Sequence, residues 1–286
     1  PDYDVLIMRV DPKITKEIID AAANLKVIGV CSVGLNHVDM DACKAKGVQV
    51  FNAPGLNANA VAELTFSKML DLSRHTIPAN YDVKVNKTWD KYKFVGRELR
   101  GKTLGILGFG RIGQRVGELG RAFKMNIVAY DPYLPAHVFE EQQATSMGID
   151  ELLKVSDFVT IHMPLTPETK DLFNAKSLAE MKDDAVVLNM ARGGIVNEKD
   201  MYEALKSGKL GAAGLDVVED EVGLYHHDWK NTVIHNRCIP LLRGFNNVIL
   251  TSHKAYYTDQ SVSDMVRNSL LGCYNAEHGL PNPFEV

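Results

Sequence analysis

The stretch Thr103-Leu104-Gly105-Ile106-Leu107-Gly108-Phe109-Gly110-Arg111-Ile112-Gly113 decides the fold. An apolar run with strand character leads into G-x-G-x-x-G, and a helical pattern follows, with apolar residues at Ile112, Val116, Leu119 and Phe123. Asn126–Tyr130 reads as the next strand and ends in Asp131, 18 residues after Gly113. Strand, glycine turn, helix, strand and terminal acid together form a dinucleotide-binding βαβ unit. Gly108 allows the tight turn, Gly110 lets a pyrophosphate approach the backbone, and Gly113 lets the helix pack closely on the strand. The free N–H groups and the positive end of the helix dipole then receive the phosphates. Asp131 suits the adenosine ribose hydroxyls and repels a 2′-phosphate. Pro132 and Tyr133 offer no offsetting cation, which favours NAD over NADP.

Working outward, short apolar runs alternate with amphipathic ones. Strands are expected at Val5–Met8, Val27–Cys31, Val48–Phe51, Phe158–His162, Ala185–Met190, Ala212–Val217 and Val248–Thr251. Helices are expected at Thr15–Ala23, Asn59–Ser73, Ile149–Lys154, Ala175–Met181 and Glu198–Ser207. Thr76–Arg100 is polar and reads as a helix and connecting loop. The pattern is α/β with mainly parallel sheets, and 286 residues suit two domains.

Composition narrows the function. Hydrophobic residues are 45% and charged residues 24%, as in folded globular chains. The net charge of −4 and the lack of a basic block argue against nucleic acid. No apolar run is long enough for a membrane span, and no signal peptide is visible in Pro1-Asp2-Tyr3-Asp4. Cys31, Cys43, Cys238 and Cys273 form no C-x-x-C pair. They read as reduced thiols, so a cytoplasmic location is expected and no metal site is signalled. His226-His227-Asp228 reads as a polar loop rather than a metal site.

Three chemically able residues follow successive strands of the nucleotide-binding half. Arg192 follows Ala185–Met190, the acidic run Glu219-Asp220-Glu221 follows Ala212–Val217, and His253 follows Val248–Thr251. Ligands of open α/β sheets bind at the carboxyl ends of their strands. Arg192 alone reads more readily as a surface ion-pair residue, and a lone histidine is more often structural. Together they suit hydride transfer at a 2-oxo acid. A histidine can protonate the carbonyl oxygen, a carboxylate can hold the imidazolium, and a guanidinium can clamp the substrate carboxylate.

The segments Gly105–Gly113, His162-Met163-Pro164-Leu165-Thr166, Asn189–Val196, Gly214–Glu221 and Ser252–Thr258 resemble the D-isomer-specific 2-hydroxyacid dehydrogenases, and the likeness covers the whole chain. The resemblance implies a Rossmann-type doubly wound NAD domain at 58–256. A smaller flavodoxin-like substrate domain would be formed by both chain ends, 1–57 and 257–286, and the cleft would close over substrate. It implies Arg192 as substrate-binding residue, His253 as acid/base and Glu221 as its partner, with Glu219 as the rival. It implies cofactor contacts at Arg111, Ile112, Asp131, Met163, Pro164, Thr169, Met190, Ala191 and Asp216. The backbone N–H groups near Val33 and Gly34 would take the substrate carboxylate, and His37 lies close to them.

The resemblance further implies a homodimer, with the Asn59–Ser73 helix in its interface, and a small 2-oxo or 2-hydroxy acid as substrate. Val222–Trp229 and His253–Thr258 look like D-lactate dehydrogenases. Asn59–Glu63 and Gly96–Thr103 look like phosphoglycerate dehydrogenases. D-lactate dehydrogenases commonly carry an aromatic residue near Leu56, and its absence argues against pyruvate. Phosphoglycerate or hydroxypyruvate chemistry, and an NAD-sensing corepressor-like protein, stay open as alternatives. Family members usually have a further stretch before the Tyr3–Ile7 strand, so the substrate domain is expected to lack its first βα unit.

Overall fold

The computed structural model describes residues 2–225, 228–234 and 236–282. His226 and His227, read above as part of a polar loop, lie outside them. The chain divides into two compact units, Pro1–Ala60 with Tyr256–Val286, and Val61–Ala255.

The first unit holds a parallel sheet of β1 (Val5–Met8), β2 (Val27–Val30) and β3 (Gln49–Phe51), in that order. Helices α1 (Lys16–Ala21) and α2 (Met40–Lys46) make the crossovers. Alternation along the strands sorts the faces. Met8, Ile28, Val30 and Val50 share a buried cluster with Ile19 of α1 and Cys43 of α2, whereas Val27 and Phe51 pack with Cys273. A Cβ on Gly29 would lie 2.7 Å from the Cys273 sulfur, so β2 needs glycine where the C-terminal helix crosses it. The apolar pattern of the sequence does not mark that helix or α2; α2 is instead bounded by Asp39, which accepts the Ala42 N–H at 2.9 Å, and by Gly47 at φ +75°.

The second unit begins within α3 (Ala58–Arg74) and continues through α4 (Thr76–Lys84), β4 (Thr103–Leu107), α5 (Arg111–Ala122) and β5 (Asn126–Tyr130). Then come α6 (Ala136–Glu141), β6 (Thr145–Ser146), α7 (Ile149–Val155), β7 (Phe158–Ile161) and α8 (Ala175–Glu180). The last elements of this unit are β8 (Ala185–Asn189), α9 (Glu198–Ser207), β9 (Leu210–Leu215), α10 (Ile239–Leu242) and β10 (Val248–Leu250). Helix α11 (Asp259–Glu277) belongs to the first unit. The seven-stranded sheet is wholly parallel, in the order β10-β9-β8-β7-β4-β5-β6. The order reverses between β4 and β7, which is the doubly wound arrangement expected, with its switch point beside the glycine turn. Strands β7 and β8 are buried throughout, as strands covered on both faces must be.

The packing of α5 differs from the expected apolar stripe. Its buried residues are Gly113, Val116, Gly117 and Gly120, and Phe123 is exposed at 39% while stacking on Phe66 with centroids 5.2 Å apart. Glycine, rather than leucine, forms the contact face because the helix lies too close to β4 for larger side chains. A Cβ on Gly113 would stand 2.1 Å from the Gly108 carbonyl oxygen.

Candidate active site

The glycine turn leaves β4 with Gly108 at φ +86°, where a Cβ would meet the His162 carbonyl carbon at 2.7 Å. Glycine is therefore required there on both conformational and steric grounds. Gly110 caps α5 and has open space where a side chain would stand. The exposed first turn of α5, opening with Arg111 and Ile112, presents its N–H groups at this end of the helix. Asp131 follows β5 and ties the turn together, its Oδ2 accepting the Phe109 N–H at 2.9 Å and its Oδ1 the Tyr133 N–H at 3.1 Å. An open cradle at a helix N-terminus beside a strand-end carboxylate fits a dinucleotide.

The remaining predicted cofactor residues cluster at the same strand ends. Met163 is buried after β7, and Pro164 is exposed. Thr169 donates to the Pro164 carbonyl at 2.7 Å and accepts the Thr166 N–H at 2.8 Å, which folds this loop on itself. His162 ends β7 with Nε2 2.9 Å from the Thr160 hydroxyl, while its buried Nδ1 has no partner among the described residues. Exclusion from water pushes its pKa down to about 3, so it is a neutral ring and no proton donor at neutral pH.

Arg192 is placed by Asn189, the last residue of β8. The Asn189 side chain accepts the Ala191 N–H at 3.0 Å and donates to the Arg192 carbonyl at 2.8 Å. Met190 and Ala191 are buried in this turn. The Arg192 guanidinium donates to the Ala191 carbonyl at 2.7 Å and forms no ion pair among the described residues. That leaves its reading as a surface ion-pair residue without support. The next residue, Gly193, locks the turn onto the loop after β9, since a Cβ there would lie 2.0 Å from the Val218 carbonyl oxygen.

Of the two carboxylates open at the sequence level, Glu221 meets the histidine. Its Oε1 is 2.7 Å from His253 Nδ1, and its Oε2 accepts the Val218 N–H at 3.3 Å. Glu219 is exposed. The phenol oxygen of Tyr225 lies 3.1 Å from the same imidazole nitrogen. His253 itself has φ +50°, an uncommon conformation for a residue with a Cβ. Asp216 at the end of β9 holds it there. The Asp216 carbonyl accepts the His253 N–H at 2.7 Å, and its buried carboxylate accepts the N–H groups of Lys254 at 3.1 Å and Ala255 at 2.7 Å and the Thr251 hydroxyl. Asp216, expected beside a cofactor, thus shapes the histidine turn in this structure.

Behind Asp216 lies Lys68 of α3, 1% exposed, with its Nζ 3.3 Å from the Leu215 carbonyl. Burial pulls its pKa down to about 8 against the opposing field of Asp216. Tyr225, Asn189, Lys68 and Glu198 are all missing from the sequence reading. Lys68 alone carried a signal, as a charge among the apolar positions of a helical pattern.

Val33 and Gly34 follow β2 in the other unit. Their carbonyls are occupied, Val33 by the Asn52 amide at 2.9 Å and Gly34 by the Ser32 hydroxyl at 2.9 Å. Their N–H groups have no acceptor recorded among the described residues. His37 is nearby in sequence, with Nε2 buried and unpartnered among the described residues and its pKa lowered by burial. All four cysteines are free thiols, and no metal-binding cluster and no membrane-crossing helix occur among the described residues.

Comparison with known proteins extends this picture. Residues 66–255, more than half of the chain, match the family model described as D-isomer specific 2-hydroxyacid dehydrogenase, NAD binding domain. A D-3-phosphoglycerate dehydrogenase of Methanocaldococcus jannaschii is 46% identical over 279 residues, covering 95% of this chain and 50% of that protein. The chain therefore spans about half the length of that curated relative. A hydroxypyruvate reductase of Thermotoga maritima is 44% identical over 221 residues, covering 77% of this chain and 71% of that protein. Among solved structures, a D-lactate dehydrogenase from Aquifex aeolicus, complexed with NAD and lactic acid, superposes with TM-score 0.85 at 34% identity, covering 97% of this chain and 84% of that one.

Proposed function

The chain belongs to the D-isomer-specific 2-hydroxyacid dehydrogenase family, and from that premise we propose that it interconverts a small 2-oxo acid and its D-2-hydroxy acid. The family is one of oxidoreductases and the cofactor is NAD. The observation that carries the reading is the Glu221–His253 pair at 2.7 Å, following neighbouring strands of the nucleotide-binding sheet.

NADH, when bound, supplies a hydride to the carbonyl carbon. The protein's own residues handle the charge and the proton. Imidazole is the side chain whose ordinary titration range spans neutrality. With Nδ1 turned to Glu221, His253 delivers its proton to the substrate oxygen from Nε2. Glu221 orients the ring through its contact with Nδ1. The Arg192 fork takes the substrate carboxylate and polarises the adjacent oxygen. The Asp216 network keeps His253 in its strained turn through the cycle.

The residues matching the curated relatives support a second, narrower reading, in which the substrate is hydroxypyruvate or its phosphate. Identity of 46% and 44% to a phosphoglycerate dehydrogenase and a hydroxypyruvate reductase favours it over pyruvate. A homodimer is also proposed. Helix α3, expected in its interface, is largely buried, whereas Ile77, Tyr81, Trp89, Tyr92 and Val95 expose apolar surface on and after α4. Light scattering tests that point.

The activity test follows NADH oxidation with pyruvate, 2-oxoisocaproate, phenylpyruvate, 2-oxoglutarate, hydroxypyruvate and 3-phosphohydroxypyruvate. Turnover of one, lost in His253→Ala and yielding the D-hydroxy acid, is the expected result. Tight NADH binding with no turnover of any would instead favour the sensor-type reading.

A further inference from the structure

A buried carboxyl group behind the two catalytic loops takes no part in the chemistry above. Glu198 opens α9, next to Asn197, whose side chain caps the helix by accepting the Asp200 N–H at 3.1 Å. Glu198 is 3% exposed. Its Oε1 accepts the backbone N–H of Glu219 at 2.6 Å, and its Oε2 has no hydrogen-bond partner among the described residues. The groups that face it are Glu219 and Glu221 from the turn after β9 and the Cys238 thiol ahead of α10. Arg237 lies beside Cys238. Burial raises the Glu198 carboxyl to about 7, and burial together with Glu198 raises the Cys238 thiol to about 11.

Two further contacts show what this carboxyl holds. The Asn236 amide donates to the Glu219 carbonyl at 2.7 Å, so Glu219 is gripped at both its N–H and its C=O. Gly193, in the Arg192 turn, abuts the Val218 carbonyl. The segment from Arg192 to Glu198 therefore touches the Val218–Glu221 turn twice, once by close backbone approach and once by a hydrogen bond. Glu221, two residues beyond the gripped peptide, is the group that meets His253.

We propose that Glu198 is a positioning residue for the Glu221–His253 pair, fixing the Glu219 backbone so that the Glu221 carboxylate reaches the imidazole. This assignment rests on the dehydrogenase reading for its consequence in turnover, and on geometry alone for the contact itself. A shorter or apolar side chain at 198 would take away the acceptor of the Glu219 N–H and let the turn move. An amide would retain the acceptor oxygen.

The test compares Glu198→Ala and Glu198→Gln with the unaltered full chain. Three quantities are read: kcat and KM for the active 2-oxo acid, the NADH Kd, and the downfield imidazole N–H proton resonance of the His253–Glu221 hydrogen bond, assigned by its loss in Glu221→Gln. In Glu198→Ala, kcat should fall roughly 10- to 100-fold, the NADH Kd should stay within about twofold, and the resonance should move or broaden. Glu198→Gln should restore both kcat and the resonance. A wild-type resonance in Glu198→Ala, or Glu198→Gln as impaired as the alanine variant, overturns the proposal. Should the alanine variant not fold, Glu198→Asp, one methylene short of the Glu219 N–H, takes its place under the same criteria. If the unaltered chain turns over no 2-oxo acid, the dehydrogenase reading fails, and the resonance still decides whether Glu198 positions the pair.

Discussion

At the scale of single residues, the histidine turn concentrates the most interactions on the fewest atoms. His253 adopts φ +50° because one aspartate, Asp216, accepts its N–H through a carbonyl and the two following N–H groups through a carboxylate. Truncating His253 to alanine should lower kcat by about two to four orders of magnitude while leaving NADH binding intact, as measured by steady-state kinetics and fluorescence titration. Asp216→Ala should behave differently. It leaves the buried N–H of Ala255 without an acceptor, so a denaturant titration should register a loss of roughly 1–3 kcal/mol or more together with the fall in kcat. The places of Arg192, of the Glu219–Glu221 run and of His253 were readable from sequence because each follows an apolar strand run. Asn189, Tyr225 and Glu198 were not, because a side chain that supports another has no fixed spacing from it in the chain.

At the scale of elements, the β4–α5 junction shows how close approach replaces ordinary packing. Three of the four buried residues of α5 are glycines, and the fourth is Val116. Gly108→Ala combines a positive φ with a Cβ 2.7 Å from the His162 backbone. It should weaken NADH binding by at least about tenfold and destabilise the protein by roughly 1–3 kcal/mol, read by titration and by thermal melting. Gly193→Ala places a Cβ 2.0 Å from backbone rather than from a flexible side chain. The loops bearing Arg192 and Glu221 must then part, so kcat/KM should fall without loss of NADH affinity. Retained kcat/KM in that variant would show that the two loops need not interlock. Strand positions were legible because buried parallel strands are continuous apolar runs. Gly113 was legible as a close-packing position from the turn motif, whereas Gly117 and Gly120 were not, since hydrophobic periodicity does not register a surface made of glycine.

At the scale of the whole molecule, two ionisable groups with shifted titration, Glu198 and His162, set opposing pH dependences. Glu198 has a raised pKa, about 7. The native state holds its proton more tightly than the unfolded chain, so its contribution to stability is greatest at low pH and is lost as pH rises towards 7. His162 has a lowered pKa, about 3. The unfolded chain takes up that proton first, so its contribution is present above the ordinary histidine range and is lost as pH falls towards 3. Between the ordinary carboxylate and histidine ranges the two slopes, each up to about 1.4 kcal/mol per pH unit, have opposite signs. Glu198→Gln should therefore show stability that rises with pH across pH 5–6 (about one pH unit of the shared window). His162→Gln should show the reverse, both followed by denaturant titration at several pH values. Parallel slopes in the two variants would contradict both assignments.

What the sequence by itself determined was the doubly wound sheet, its glycine turn with Asp131, and the placing of Arg192, Glu221 and His253 after successive strands. These are local or periodic properties, written in neighbouring residues and in the regular alternation of buried strands and helices. The family resemblance preferred Glu221 to Glu219, and the tertiary structure brings Glu221 to His253; tertiary structure alone decided that Asp216 shapes the histidine turn and that Lys68 and Glu198 are buried. Those outcomes depend on which backbone groups lie within about 3 Å of one another, and residues 21 or 38 positions apart in the chain acquire that distance only when the sheet closes.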